Sequence, residues 1–142
     1  MGLPSHFHAG QKFCFRPQDL TYRHPRRSPE AFLIAALDLL ILLALAHFVC
    51  DFGLQTDRMA REKIAGGDVT LNWRWWLVSH AATHGLAVAL LTGIPLLGLA
   101  ETVLHAIIDW SKGRLRFSLA LDQSLHLACK LLWVVLWVSI QS

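Results

Sequence analysis

A chain of 142 residues, 54% hydrophobic and only 16% charged, carries too little charge for an ordinary soluble domain, where about a quarter of residues are charged. Its net charge of +3 arises from Lys and Arg gathered in residues 1–27, 56–74 and 111–116, with Lys130 apart, and long apolar stretches lie between, as lipid solvation requires. No basic face interleaved with aromatics is available for nucleic acid. The three scattered cysteines (Cys14, Cys50, Cys129) form no C-x-x-C, which excludes a disulfide framework and a thiolate zinc site.

Residues 1–28 read as a basic, aperiodic, flexible arm and a candidate contact for a membrane-protein partner. A cleaved signal peptide competes for this region, because Ala44-Leu45-Ala46 resembles a cleavage site. The apolar segment runs on past it, however, so a spanning helix is the better reading. That helix is expected over residues 29–55, with Ser28 as N-cap and Pro29 at the first position; it rises roughly 40 Å, enough to cross a bilayer. A charged, helix-favouring stretch (56–63) follows, stopped by Gly66-Gly67, and then Trp73, Trp75 and Trp76 as an interfacial belt. Further helices are expected over 75–91, 95–110 and 117–140. A tight uncharged turn (92–95) joins the first two, and a basic link (111–116) joins the last two, with Trp133 and Trp137 as anchors near the far end. Short links make neighbours antiparallel. The predicted fold is all-α, a polytopic membrane protein built as an antiparallel four-helix transmembrane bundle over residues 29–142, with the lipid bilayer as its first partner. The links at 56–74 and 111–116 hold seven Lys/Arg against five in the arm, which by the positive-inside rule turns those links to the cytoplasm.

The ionisable residues within these apolar segments are not scattered. Asp38 aside, each has a partner four positions away: His47 with Asp51, His80 with His84, Glu101 with His105 and then Asp109, Asp122 with His126 and then Lys130. Residues at i and i+4 share one helical face, so two such side chains can bind one ion. His47 and Asp51 close the first helix where His80 and His84 open the second; His105 and Asp109 close the third where Asp122 and His126 open the fourth. Antiparallel packing brings all four pairs to one level, beside the charged links. Five imidazoles and three carboxylates suit zinc, manganese or iron. They exceed one tetrahedral set, so either two ions bind or the surplus supports one ion and supplies a base. The same groups could instead hydrogen-bond across helices and fix packing without metal. Haem fits less well, because i,i+4 histidines cannot face each other across it and the aspartates would have no role. Lys130 is expected to pair with Asp122 or His126, or to snorkel. Asp38, nine residues before His47, belongs near the other surface.

Residues 46–60, AHFVCDFGLQTDRMA, resemble the opening signature of a small bacterial and phage inner-membrane family catalogued as domain of unknown function three-three-zero-seven. His80-x-x-x-His84, His105-Ala106-Ile107-Ile108-Asp109-Trp110-x-Lys112 and Leu121-Asp122-Gln123-Ser124-Leu125-His126 match its later blocks in order, so the resemblance covers residues 33–137. It implies a multi-pass protein of the bacterial inner membrane without a defined activity. A more distant similarity to membrane-bound metal-dependent hydrolases, fold-level analogy only, points the same way as the metal reading.

The leading functional reading is a metal-dependent intramembrane hydrolase. His47, Asp51, His105 and Asp109 are the expected primary ligands, and His80, His84, Asp122 and His126 a second site or the source of a base. Asp51, Asp109 and Asp122 are the candidate catalytic carboxylates, while Gln55, Asp57 and Lys112 are expected at the mouth. A proton or divalent-cation carrier and a non-enzymatic membrane subunit are the alternatives. A carrier needs a continuous polar path, and the far halves of the helices offer only Asp38, Glu101 and Lys130.

Overall fold

The structure is a computed structural model that describes residues 28–141, so the expected arm lies outside the described residues except for Ser28. Helix α1 spans Pro29–Phe48 and passes into a π-helical segment, Val49–Leu54. Short α2 (Asp57–Glu62) precedes three long helices, α3 (Trp73–Thr92), α4 (Pro95–Leu115) and α5 (Leu119–Gln141). No strand occurs among the described residues, and the fold is all-helical.

The helix ends follow from local chemistry. Ser28 Oγ accepts the Ala31 N–H at 3.3 Å, with Pro29 inside the first turn, as expected. Thr56 and Asn72 cap α2 and α3 in the same way. Gly93, at φ 69°, closes α3 in the left-handed conformation that glycine adopts without cost, and Pro95 opens α4. Two sequence expectations need correction. The helix expected over 95–110 continues to Leu115, because Lys112 and Arg114 in its last turn complement the negative end of the helix dipole instead of forming a basic link. Its 21 residues span roughly 30 Å, so it is not short for a membrane crossing. The first helix has nearly the expected bounds, but its last six residues are wound as a π-helix.

The four long helices close a ring. α3 packs most extensively on α4, α1 touches α3 and α5, and α5 touches α4. Glycines let α3 and α4 approach. A Cβ on Gly85 would lie 1.9 Å from Thr102 Oγ1 and 2.5 Å from the Gly98 carbonyl oxygen, and one on Gly98 would lie 2.5 Å from the Gly85 carbonyl oxygen. Small residues at such a crossing let the two helix backbones come into contact.

One end of this ring is an apolar core of Leu39, Leu43, Val88, Leu97, Trp133 and Val134. The outward faces are also apolar on all four long helices, including Leu33, Ile41, Leu86, Leu90, Leu96, Leu99, Val103, Leu131 and Val135. Among the described residues, two helices are long and apolar enough to cross a membrane, Pro29–Leu54 with mean hydropathy 2.5 and Leu119–Gln141 with 1.5. α3 and α4 are of similar length, but His80, His84, Glu101, His105 and Asp109, all turned inward or nearly so, lower their average.

The tryptophans, expected as interfacial anchors, divide. Trp75 and Trp110 are exposed. Trp133 is buried and donates to the Glu101 carboxylate, Trp137 donates to the Thr92 carbonyl at 3.2 Å, and Trp76 donates to Glu62 at 3.1 Å. Glu62 also accepts from the Thr70 hydroxyl at 2.6 Å and the Thr70 N–H at 2.9 Å, which ties down the segment between α2 and α3. The Thr70 hydroxyl, then its backbone N–H, hold the Glu62 carboxyl below its ordinary value of 4.5.

Candidate metal centre

The eight predicted site residues come together at the end of the ring opposite the apolar core. α1 and its π-helical extension carry His47 and Asp51, α3 carries His80 and His84, α4 carries His105 and Asp109, and α5 carries Asp122 and His126. The π-winding begins two residues after His47 and contains Asp51, a deviation that recurs where a helix serves a site. Asp51 Oδ1 lies 3.2 Å from both His80 Nε2 and His84 Nε2, and Oδ2 lies 3.4 Å from His47 Nε2. Asp109 Oδ2 lies 3.6 Å from His80 Nε2 and 3.7 Å from His105 Nε2, and its Oδ1 lies 3.6 Å from His126 Nε2. The imidazoles of His84, His105 and His126 stack in series, with centroids 3.7 and 4.0 Å apart.

Burial is graded. The five histidine side chains are at most 1% exposed, Asp122, Asp109 and Asp51 are 2, 5 and 11% exposed, and Lys63 and Lys112 outside them are 14 and 37% exposed. A cavity of about 50 Å³ opens over the carboxylates, lined by all three aspartates with Gln55, Gln123, Lys63, Lys112, Phe52 and Leu119. Gln55 and Lys112 are therefore at the mouth as expected. Asp57 is not: it sits exposed on α2, away from the cavity lining.

The hydrogen-bond network assigns tautomers. His47 Nε2 lies 3.2 Å from Gln123 Oε1, so this nitrogen carries the proton and donates. Gln123 Nε2 donates to Asp51 Oδ2 at 2.8 Å. His47 Nδ1 is then the acceptor for His84 Nδ1–H at 3.3 Å, and neutral His84 is left with a lone pair on Nε2. That lone pair faces Asp51 Oδ1, which is unfavourable unless a proton or a cation lies between them. The same condition recurs. His80 Nε2, His84 Nε2, both ring nitrogens of His105, both of His126 and Asp122 Oδ1 are buried without a hydrogen-bond partner. Buried polar atoms are nearly always paired, so seven atoms without a hydrogen bond in one cluster, most of them facing an opposite ring nitrogen or carboxylate oxygen at 3.2–3.7 Å, need protons or a cation among them.

Two sets of donor atoms each lie within 4.8 Å of one another and could hold a metal ion: Asp51, His80, His84 and His105, and His105, Asp109 and His126. This grouping differs from the one expected. His105 belongs to both sets. His47, expected as a primary ligand, lies outside both, and its two nitrogens contact Gln123 and His84. Asp122 also lies outside both, with Oδ2 on Lys112 at 2.6 Å.

Two contacts behind the cluster correct the reading of Lys130. It pairs with Glu101 and not with Asp122 or His126; both partners are buried, and Trp133 donates to the same carboxylate. Glu101 Oε1 in turn lies 3.4 Å from His105 Nδ1. A carboxylate behind a histidine orients the ring and directs its far nitrogen forward. Asp38 is exposed on α1 and outside the cluster, as expected.

Sequence reasoning missed Gln123 and Lys63. Gln123 stands beside Asp122 in a block already singled out, so its position was visible but its bridging role was not. Lys63, on Asp109 Oδ2 at 2.6 Å, gave no signal because it lies on the cap of α2, outside every apolar segment.

A family model described as "Protein of unknown function (DUF3307)" matches residues 39–142. No curated protein matches the chain, and no solved structure matches it.

Proposed function

The chain belongs to the DUF3307 family, and from the converging donor atoms of its buried histidines and aspartates we propose that it is a four-span membrane protein that binds one or two divalent metal ions near one membrane face and uses them in hydrolysis. The observation that carries the metal is the set of orphaned imidazole nitrogens arranged around Asp51 and Asp109. Nitrogen and oxygen donors without thiolate suit zinc, manganese or iron. Four spans are supported by the apolar exterior of all four long helices around a polar interior, an arrangement that water would not stabilise. Placement in the bacterial inner membrane, with the links facing the cytoplasm, rests on the family resemblance and the charge of those links.

In this reading His80, His84 and His105 with Asp51 would hold one ion, or His105 with His126 and Asp109 would; with Nδ1 turned to Glu101, His105 has one lone pair to give and would ligate only one of two ions. A bound divalent ion supplies Lewis acidity and a more acidic water at neutral pH. The residues of the chain do the rest. Gln123 and His47 hold Asp51 in place. Glu101 orients His105. Asp122 lines the cavity with a free, buried Oδ1 and is the candidate proton acceptor. The polar network ends at Glu101, Lys130 and Trp133, beyond which the ring is filled by Leu39, Leu43, Val88, Leu97 and Val134. That plug argues against a carrier, which needs a continuous path. The arm at residues 1–28 remains the proposed contact for a membrane partner.

Elemental analysis of detergent-purified protein, beside the His47→Ala/His105→Ala variant, tests the metal. Near-stoichiometric metal in the wild type, lost in the variant, supports the reading. Metal-free wild-type protein with intact helices eliminates it and leaves a structural subunit. Hydrolysis is tested on chromogenic esters with metal-loaded protein, where Asp122→Asn should lower turnover about 10²- to 10⁴-fold while metal content stays unchanged.

A further inference from the structure

We infer that the cavity over the cluster is a binding site for a phosphate group, recognised by Lys63 and Lys112 and made attractive to anions only when the cluster holds its cation. The inference rests on the metal reading and extends it to the class of substrate.

Asp51, Asp109 and Asp122 against Lys63 and Lys112 give the cavity walls three negative and two positive groups, a net −1 that repels an anion. One divalent ion on the buried donors changes this to +1, and two change it to +3. In a partly buried site a bound metal ion is the largest local charge, so it sets the sign of the field.

Geometry adds recognition. Each lysine is held by one carboxylate oxygen at 2.6 Å, Lys63 on Asp109 and Lys112 on Asp122. A carboxylate drawn toward a divalent ion holds an ammonium less strongly, and each ammonium has further N–H donors to offer. The two lysines come from different elements, the cap of α2 and the last turn of α4, and both line the cavity. Its volume of about 50 Å³ admits a small tetrahedral oxyanion and leaves any sugar ring or acyl chain outside.

The buried acceptors sharpen the choice of anion. Gln55 Oε1 and Asp122 Oδ1 are unpartnered, and both residues line the cavity. Oxygens of this kind need a donor. Hydrogen phosphate brings a P–OH at neutral pH, and a phosphate monoester, with a second pKa of about 6, brings one only as its monoanion; sulfate brings none. Hydrogen phosphate is therefore preferred over sulfate, and a monoester bound as its monoanion is the corresponding substrate class for hydrolysis. The phosphate could sit on a lipid headgroup or on a soluble ester.

Equilibrium dialysis of detergent-purified protein with radiolabelled inorganic phosphate tests this, with zinc content measured in the same samples. Zinc-loaded protein should bind phosphate at least tenfold more tightly than chelator-treated protein, and sulfate should compete at least tenfold less well than phosphate. The Lys63→Met/Lys112→Met variant should keep its zinc, which shows that it is folded, and lose at least tenfold in phosphate affinity. The single variants should fall between. Competition by phosphatidic acid in phosphatidylcholine nanodiscs identifies a lipid source, and competition by glycerol 3-phosphate a soluble one; either supports the proposal. Zinc-loaded wild type that binds no phosphate, or a double variant that binds it unchanged, overturns the anion site and leaves the metal reading standing. Wild type that takes up no zinc overturns both.

Discussion

The two halves of the helical ring are built on opposite principles. Towards Leu39, Leu43, Val88, Leu97 and Val134 the interior is apolar and its polar groups are satisfied: Thr92 donates to the Val88 carbonyl at 2.7 Å, and Trp137 donates to the Thr92 carbonyl. Towards His47, His80, His84, His105 and His126 the interior is polar, and every buried side-chain atom without a hydrogen-bond partner among the described residues lies there. The dry half is optimised for packing. The polar half keeps donor atoms unpaired, which costs stability and is the feature behind the proposal that a ligand completes it. Glu101, Lys130 and Trp133 lie at the boundary and seal one from the other.

That contrast can be broken most severely at His105, the one residue common to both candidate donor sets. His105→Ala should bring bound metal to background, whereas His47→Ala, which removes a supporting contact, should weaken metal binding about 10- to 100-fold without abolishing it; metal titration of both variants decides. Equal losses would remove the distinction drawn here between ligand and support.

The boundary is the next most sensitive place. Lys130→Met leaves Glu101 charged and buried without its cation, and should cost roughly 3–5 kcal/mol in detergent unfolding. The Glu101→Leu/Lys130→Met double variant should recover most of that stability. It should nevertheless bind metal more weakly than wild type, because His105 loses its orienting carboxylate.

Within the packing, Gly85→Ala should cost about 1–3 kcal/mol, since its new methyl meets Thr102 and the Gly98 carbonyl. Gly53→Ala, where the nearest atom is 3.7 Å away, should be close to neutral. Thermal unfolding followed by circular dichroism separates the two.

The smallest effect concerns the segment between α2 and α3. Because the folded-state pKa of Glu62 is depressed, its contribution is present above pH 4.5 and is lost as pH falls through the lower folded value. Proteolysis of residues 63–72 should therefore accelerate only in acid, and Glu62→Gln should accelerate it at neutral pH without affecting the apolar half.

Much of this was legible in the chain. Ser28, Pro29, Gly93 and Pro95 mark helix ends through backbone chemistry that is local. The i,i+4 spacing of His47/Asp51, His80/His84, His105/Asp109 and Asp122/His126 put each pair on one face, and their places at the ends of apolar runs put them at one level. The end of α4 was missed because charge at 111–116 signals a link, whereas a helix C-terminus welcomes the same cations.

Spacing along the chain is enough to say which groups share a depth, since helical rise and short reversals leave no other arrangement for pairs placed at those positions. How they divide is a matter of packing: that His105 stands within reach of both candidate donor sets, that Gln123 bridges His47 and Asp51, that Lys63 reaches Asp109 and that Lys130 answers Glu101. Those choices depend on how each helix is rotated about its axis against its neighbours. That rotation is set by contacts between residues tens of positions apart, such as the Gly85–Gly98 approach and the Gln123–Asp51 bond, and no local spacing encodes it.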